Sequence, residues 1–295
     1  MMNKKLKRAS LMKRHEAMFQ CPICTANMAV TDLKSLICAS GHTFDIARGG
    51  YVNVTTHSPS VKYDKDLFEA RGMLAGAGFF EPLSSALTDR LEQAGLPFCN
   101  FVSILDAGCG EGSHLARIAE MIQSRSGRPV LGVGLDLAKA GIVSAAKQKR
   151  EAIWCVADLA AAPFRNRSFN AILNILSPSN YAEFERLLSD DGIVLKVIPK
   201  SGYLKELRGF LYDGLDKQAY TSEDTAERFS SHFDLIDRTE IAYSKRLDQN
   251  LLPPLIKMTP LSWRAEKERI NAFLKKESAV MTVHLDILAG RKKTK

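Results

Sequence analysis

Apolar residues recur along this chain in two different rhythms. Between residues 67 and 91 the large side chains Phe68, Met73, Leu74, Phe79, Phe80, Leu83 and Leu87 return mostly at helical spacing. The interruption at Gly76, Gly78 and Pro82 predicts two helices rather than one. After Pro97 the rhythm changes to five short apolar runs, at residues 102–105, 130–135, 153–156, 171–176 and 193–198. Each is the length of a strand, and the stretches between them are long enough for crossover helices. The predicted core is therefore an α/β fold built on a doubly wound parallel sheet. Residues 44–57 predict a strand and turn returning to an N-terminal module, and the polar 62–66 run after Pro59 predicts a linker.

Composition places this core in an ordinary folded protein. Of 295 residues, 45% are hydrophobic and 25% charged, which excludes disordered and collagen-like classes. No apolar run approaches the ~18 residues of a membrane span, and the basic first 14 residues lack the apolar centre of a signal peptide. The expected compartment is the cytoplasm, with no membrane partner. The net charge of +8 is concentrated at one end, since residues 1–62 hold nine basic residues against three acidic ones. Such an end, with Lys4, Lys5, Lys7 and Arg8 at its start, predicts an anionic partner, RNA first.

Four residues within that basic end carry metal chemistry. Cys21 and Cys24 form a C-x2-C pair, and after thirteen intervening residues Cys38 and His42 form a C-x3-H pair. Zinc takes four soft or borderline donors at tetrahedral corners, and each pair supplies two on one side of the ion. Pro22 and Gly41 suit the tight turns of the two knuckles. Four protein ligands leave no position for water, so the expected zinc is structural. Cys99, Cys109 and Cys155 lack paired spacing and read as small core residues. His15, His57, His114, His232 and His284 show no metal spacing either.

A second chemical signal sits at the end of the first predicted strand of the sheet. Asp106-Ala-Gly108-Cys-Gly110-Glu111-Gly112 is a glycine-rich turn opening a helix, where the backbone can approach a ligand and present free amides. Asp136 closes the second strand, at a position to accept both hydroxyls of a ribose. Asp158 closes the third, at a position to accept from an adenine amino group, with Pro163-Phe164 downstream.

These three parts in this order resemble the class I (Rossmann-like) S-adenosylmethionine-dependent methyltransferases, over about residues 98–200. The resemblance implies that Asp106, Gly108, Gly110, Glu111 and Gly112 surround the methionine moiety, Asp136 holds the ribose, and Asp158 with Leu159 contacts the adenine. After the fourth strand stands Ser177-Pro178-Ser179-Asn180-Tyr181 rather than the Asn/Asp-Pro-Pro-aromatic run of enzymes acting on exocyclic amino groups. Exocyclic chemistry is thereby disfavoured.

The zinc knuckles, the 41–53 segment, Ala77-Gly78-Phe79-Phe80-Glu81-Pro82-Leu83 and Met258-Thr259-Pro260 together resemble the bacterial 23S rRNA guanine-N1 methyltransferases, over roughly residues 19–290. Tyr63-Asp64-Lys65, the 177–181 loop and Leu195-Lys196-Val197-Ile198-Pro199 look closer to the Gram-positive branch linked to tylosin and other macrolide resistance. The resemblance implies methylation of N1 of a guanine in a domain II hairpin loop of 23S rRNA, near the macrolide-binding exit tunnel. It also implies a homodimer, and it adds Phe80 and Tyr203 to the cofactor contacts. Both positions depart from the enteric branch, which has Tyr and His there, so Phe80 can only stack. The implied division is a basic tail over 1–18, a zinc-binding RNA-recognition domain over 19–58, linker helices over 59–97 and the methyltransferase domain over 98–295.

The competing readings are an S-adenosylmethionine-dependent methyltransferase acting on another RNA or a small molecule, and a non-enzymatic zinc-ribbon RNA-binding protein with a degenerate core. Guanine N1 carries a proton, so the enzyme must position the base in line with the methyl group and allow that proton to leave. No catalytic base is assigned from the sequence. Tyr181, Tyr203, Phe210, Tyr212 and Trp263 are candidates for stacking the target base. Lys34, Arg48, Lys62 and the N-terminal basic residues are candidates for phosphate contacts, extended by Arg165, Arg167, Lys200, Lys205 and Arg208.

Overall fold

A computed structural model describes residues 4–56, 63–95, 101–147, 152–212 and 222–293. The chain opens with helix α1 (Lys4–Arg14), followed by an antiparallel three-stranded ribbon of β1 (Met28–Thr31), β2 (Ser35–Cys38) and β3 (Thr43–Asp45). Next come β4 (Val52–Asn53) and the two helices expected from the apolar rhythm, α2 (Lys65–Gly76) and α3 (Glu81–Gln93). The Asp64 carboxylate caps α2 by accepting from the Leu67 amide at 2.9 Å, so the second half of the predicted linker belongs to a helix start. His57, Pro59, Lys62 and Cys99 lie outside the described residues.

All five predicted strands form. They are β5 (Val102–Ala107), β6 (Val130–Asp136), β7 (Ala152–Val156), β8 (Phe169–Ile175) and β9 (Leu188–Pro199). Crossovers α4 (Ser113–Ser126), α5 (Lys139–Lys147) and α6 (Tyr181–Leu187) join consecutive strands in parallel, and β5 and β7 are buried throughout, as a sheet covered on both faces requires. After α7 (Lys205–Leu211) and α8 (Ser222–His232) the chain departs from the purely parallel expectation. Two long antiparallel strands, β10 (Phe233–Asp248) and β11 (Ser278–Lys292), with α9 (Leu252–Met258) and α10 (Lys267–Leu274) between them, extend the sheet to the order β10-β11-β9-β8-β5-β6-β7-β4.

Two other expectations are corrected at the opposite edge. The 44–57 segment does not simply return to the ribbon, because β4 pairs in parallel with β7 (Val52 with Cys155) and becomes the last strand of the main sheet. The segment read as a basic tail is the helix α1, packed against the same edge with Ala9 and Met12 fully buried. Arg8 is 3% exposed, and its Nη1 donates to the carbonyls of Gly49 at 2.7 Å and Ala146 at 2.5 Å. Its charge therefore satisfies the carboxyl end of α5 instead of facing solvent. Ribbon residues Met28, Val30 and Leu36 share a core with Leu105 and Val133 of the sheet. No helix among the described residues is long and apolar enough to cross a membrane.

Candidate active site and metal centre

The four predicted metal ligands converge. Cys24 Sγ lies 3.7 Å from Cys38 Sγ, and His42 Nδ1 lies 3.4 Å from Cys38 Sγ and 3.6 Å from Cys21 Sγ. All four ligand atoms fall within 4.8 Å of one another. A tetrahedron with Zn–S bonds of ~2.3 Å has edges of about 3.8 Å. The cluster therefore has the size and the donor set of a closed Cys3His zinc site.

The glycine turn leads out of β5, where the sheet reverses its strand order between β5 and β8. Here lies a cavity of about 870 Å³ at the carboxyl ends of the strands, the place where open α/β sheets bind ligands. Gly108 holds φ at +82°, and a Cβ there would stand 2.0 Å from Ser177 Oγ, so only glycine lets the 177–181 loop close over the turn. Gly110 donates its amide to Asp136 Oδ2 at 2.7 Å, and Asp136 Oδ1 accepts from the Ala138 amide at the same distance. Asp136 thus anchors the turn while lining the cavity.

Of the ten residues expected around the cofactor, Phe80, Gly108, Gly110, Asp136, Asp158, Leu159 and Tyr203 line this cavity. Asp106, Glu111 and Gly112 are buried and are not among its lining residues. Asp106 is 2% exposed, and its Oδ1 accepts no hydrogen bond from the described residues. Burial pushes its carboxyl up to about 7, with Glu111 and Asp136 adding to the rise and Arg71 opposing it. Glu111 forms an ion pair with Arg71 Nε at 3.3 Å and so fixes a guanidinium that does line the cavity. Gly112 opens α4 with φ +77°, and a Cβ there would lie 2.3 Å from the buried Trp154 ring. Its absence of side chain serves packing, as does that of Gly134 beneath the same ring.

A buried carboxylate lacking a donor suits an ammonium, a cavity-lining guanidinium suits a carboxylate, and Asp136 and Asp158 suit ribose hydroxyls and an amino-purine edge. The residues present therefore fit S-adenosylmethionine. Phe80 offers only its ring, which packs edge-on against the buried His114 at 5.1 Å. Burial, then the Arg71 charge, drives His114 down to about 3, so it is a neutral packing element.

The aromatic candidates separate. Tyr181 and Tyr203 line the cavity, and Trp263 is exposed but stands 5.8 Å from the ring of Tyr63, which lines it. Phe210 and Tyr212 do not reach it. Phe210 packs on Phe273, and the Tyr212 hydroxyl donates to the Leu261 carbonyl at 2.5 Å. Among the basic candidates Lys34, Arg48, Arg165 and Lys205 are exposed. Arg167 pairs with Asp190, Lys200 with Glu240 and Asp286, and Arg208 donates to the Ser201 and Tyr203 carbonyls.

Sequence reasoning overlooked Arg71, Tyr63, Arg228 and the role of Lys196, all of which line the cavity. Arg71 gave no signal, being one charge on an ordinary amphipathic helix. Lys196 did, because it interrupts an otherwise apolar strand.

Comparison with known proteins matches residues 19–55 to the family described as "RlmA, N-terminal", a zinc ribbon, and residues 104–192 to "Methyltransferase domain". A Bacillus subtilis (strain 168) protein, YxjB, which carries the name 23S rRNA (guanine-N(1)-)-methyltransferase on a provisional basis, is 44% identical over 94% of this chain and 98% of its own. The 23S rRNA (guanine(748)-N(1))-methyltransferase of Streptomyces fradiae is 32% identical over 85% of this chain and 88% of its own. With its zinc ribbon, its S-adenosylmethionine cavity and this likeness along nearly its whole length, the chain belongs to the 23S rRNA (guanine-N1)-methyltransferase family.

Proposed function

We propose that this enzyme acts in the cytoplasm on one guanine of a domain II hairpin loop of 23S rRNA, near the macrolide-binding exit tunnel, at or beside the position named for the Streptomyces relative. The observation that carries this reading is the cavity itself. Its lining holds Asp136 and Asp158, which suit the nucleoside end of the cofactor, together with Tyr63 and Tyr181, which suit a stacked base. One chamber of about 870 Å³ has room for the cofactor and one extruded base.

S-adenosylmethionine, when bound, supplies a methyl group already activated by the sulfonium. The protein's part is to orient and to exclude water. Asp106 and Arg71 address the amino-acid end, and Asp136 and Asp158 address the nucleoside. Tyr203, which feels the Arg71 charge, belongs with the cofactor contacts, and Tyr181, Ser177 and Pro178 are left for the acceptor side. Exposed Lys34, Arg48 and Arg165 contact phosphates, which position the hairpin without reading its sequence.

A transcript of the hairpin tests the substrate. It should accept labelled methyl groups and bind with an affinity that falls steeply with salt, and replacing the target guanine with adenine should abolish acceptance without changing the salt slope. Methyl acceptance only by another RNA or a small molecule would move the enzyme to the competing class. Dimerisation, proposed on the family resemblance alone, predicts twice the chain mass in light scattering.

A further inference from the structure

When guanine N1 loses its proton, the negative charge is shared between N1 and O6. A cation on the acceptor side of the cavity is therefore informative, and the structure has one that the sequence reading left without a role. Lys196 stands on β9 among Ile, Val and Leu, is 5% exposed, and lines the cavity. Its Nζ donates to Asn174 Oδ1 and to the Ser177 carbonyl, each at 2.5 Å. Both acceptors are neutral. Asn174 Nδ2 in turn donates to the Ala107 and Pro178 carbonyls, which fixes the amide with its oxygen toward the lysine. An ammonium has three N–H groups, and the third finds no acceptor among the described residues. No carboxylate pairs with it there either, so the cavity leaves this buried amine free to meet negative charge on a ligand.

Resting on the reading of this enzyme as a guanine-N1 methyltransferase, we propose that Lys196 is a catalytic residue that donates its free N–H to guanine O6 and stabilises the negative charge formed as N1 is deprotonated. The N1–H bond breaks and its proton passes to water at the cavity mouth. The N1 electron pair then forms the bond to the methyl carbon, and the carbon–sulfur bond breaks with its pair returning to sulfur. Lys196 stays protonated throughout. Its hydrogen bond is stronger to the anionic oxygen than to the neutral carbonyl, so it lowers the barrier more than it aids binding.

Arg71 on α2, Asp136 at the end of β6, Asp158 after β7, Tyr181 on α6, Tyr203 before α7 and Arg228 on α8 share this cavity. On the neighbouring strand β11, Asp286 is already engaged by Arg238 and Lys200. Burial is the cause that lowers the Lys196 amine, to about 8. The methylation rate should thus rise with pH as N1 ionises and fall above about pH 8 as Lys196 loses its charge.

The test is single-turnover methylation of the hairpin transcript between pH 6 and 10, with S-adenosylmethionine affinity measured alongside. K196M should lose about 100-fold in rate at neutral pH, keep cofactor affinity within about threefold, and climb in rate without the descending limb. Equal pH profiles for K196M and wild type, or loss of cofactor binding in K196M, would assign the lysine to supporting the 174–178 loop and overturn the proposal. Should K196M fail to fold, the wild-type profile decides: a descending limb near pH 8 supports the role, and a rate still rising at pH 9.5 contradicts it. If the wild-type enzyme forms no N1-methylguanine at any pH, the family-based substrate reading falls, and this inference with it.

Discussion

At the scale of single residues, the cavity depends on positions where one extra atom or one proton changes the outcome. Gly108→Ala places a Cβ in left-handed backbone against Ser177 and should weaken S-adenosylmethionine binding at least tenfold by calorimetry, with the fold retained. Asp106 is held by burial at about 7, well above an ordinary carboxyl. An ammonium ligand needs its ionised form, so cofactor affinity should fall as pH drops through 7, approaching roughly tenfold per unit below that. Asp106→Asn should bind weakly with this pH dependence flattened. A wild-type affinity constant between pH 5.5 and 8 would remove Asp106 from cofactor recognition. The glycine turn, Asp136 and Asp158 were legible from strand ends and spacing, because both are local features of sequence. Arg71 and Tyr63 were not, since their place in the cavity is set by how α2 packs, which no local pattern encodes.

At the scale of elements, helix α1 and strand β4 tie the ribbon to the sheet. A run of lysines and arginines before a zinc module reads as a solvated tail when only charge is counted. The signal that pointed elsewhere was weaker: the apolar Ala9, Leu11 and Met12 break the basic run and are all buried, and Gly50 leaves room for the Arg8 side chain at 2.8 Å from where its Cβ would stand. Arg8→Ala removes charged hydrogen bonds to one buried and one half-buried carbonyl and should lower stability by about 2 kcal/mol in urea unfolding, with little effect on phosphate contacts. Zinc holds the other end of the same unit. Cys24→Ser should bring the metal content below one zinc per chain and lower the melting temperature by about 10 °C, corresponding to roughly 4 kcal/mol of binding energy lost from folding. An unchanged melting temperature in the metal-free variant would make the cluster incidental to the fold. The β10–β11 hairpin escaped the sequence reading because β10 alternates half-buried with exposed, charged positions and never forms an apolar run.

At the scale of the whole molecule, α2, the carboxyl ends of the sheet strands, α8 and the end of α9 converge on one cavity, and its walls come from segments as distant in sequence as Tyr63 and Pro260. The ribbon shares its core with the face of the sheet, and β4 after it is the sheet's edge strand, so an RNA bound as proposed at the ribbon's exposed basic residues would be held in a set relation to the active site. The most direct measurement is methyl transfer from labelled S-adenosylmethionine to 23S rRNA lacking the modification, with the product mapped as a block to reverse transcription. A block at a single guanine of the domain II hairpin, absent with Asp106→Ala, is the predicted result. Cofactor binding with no guanine-N1 product on 23S rRNA would contradict the account.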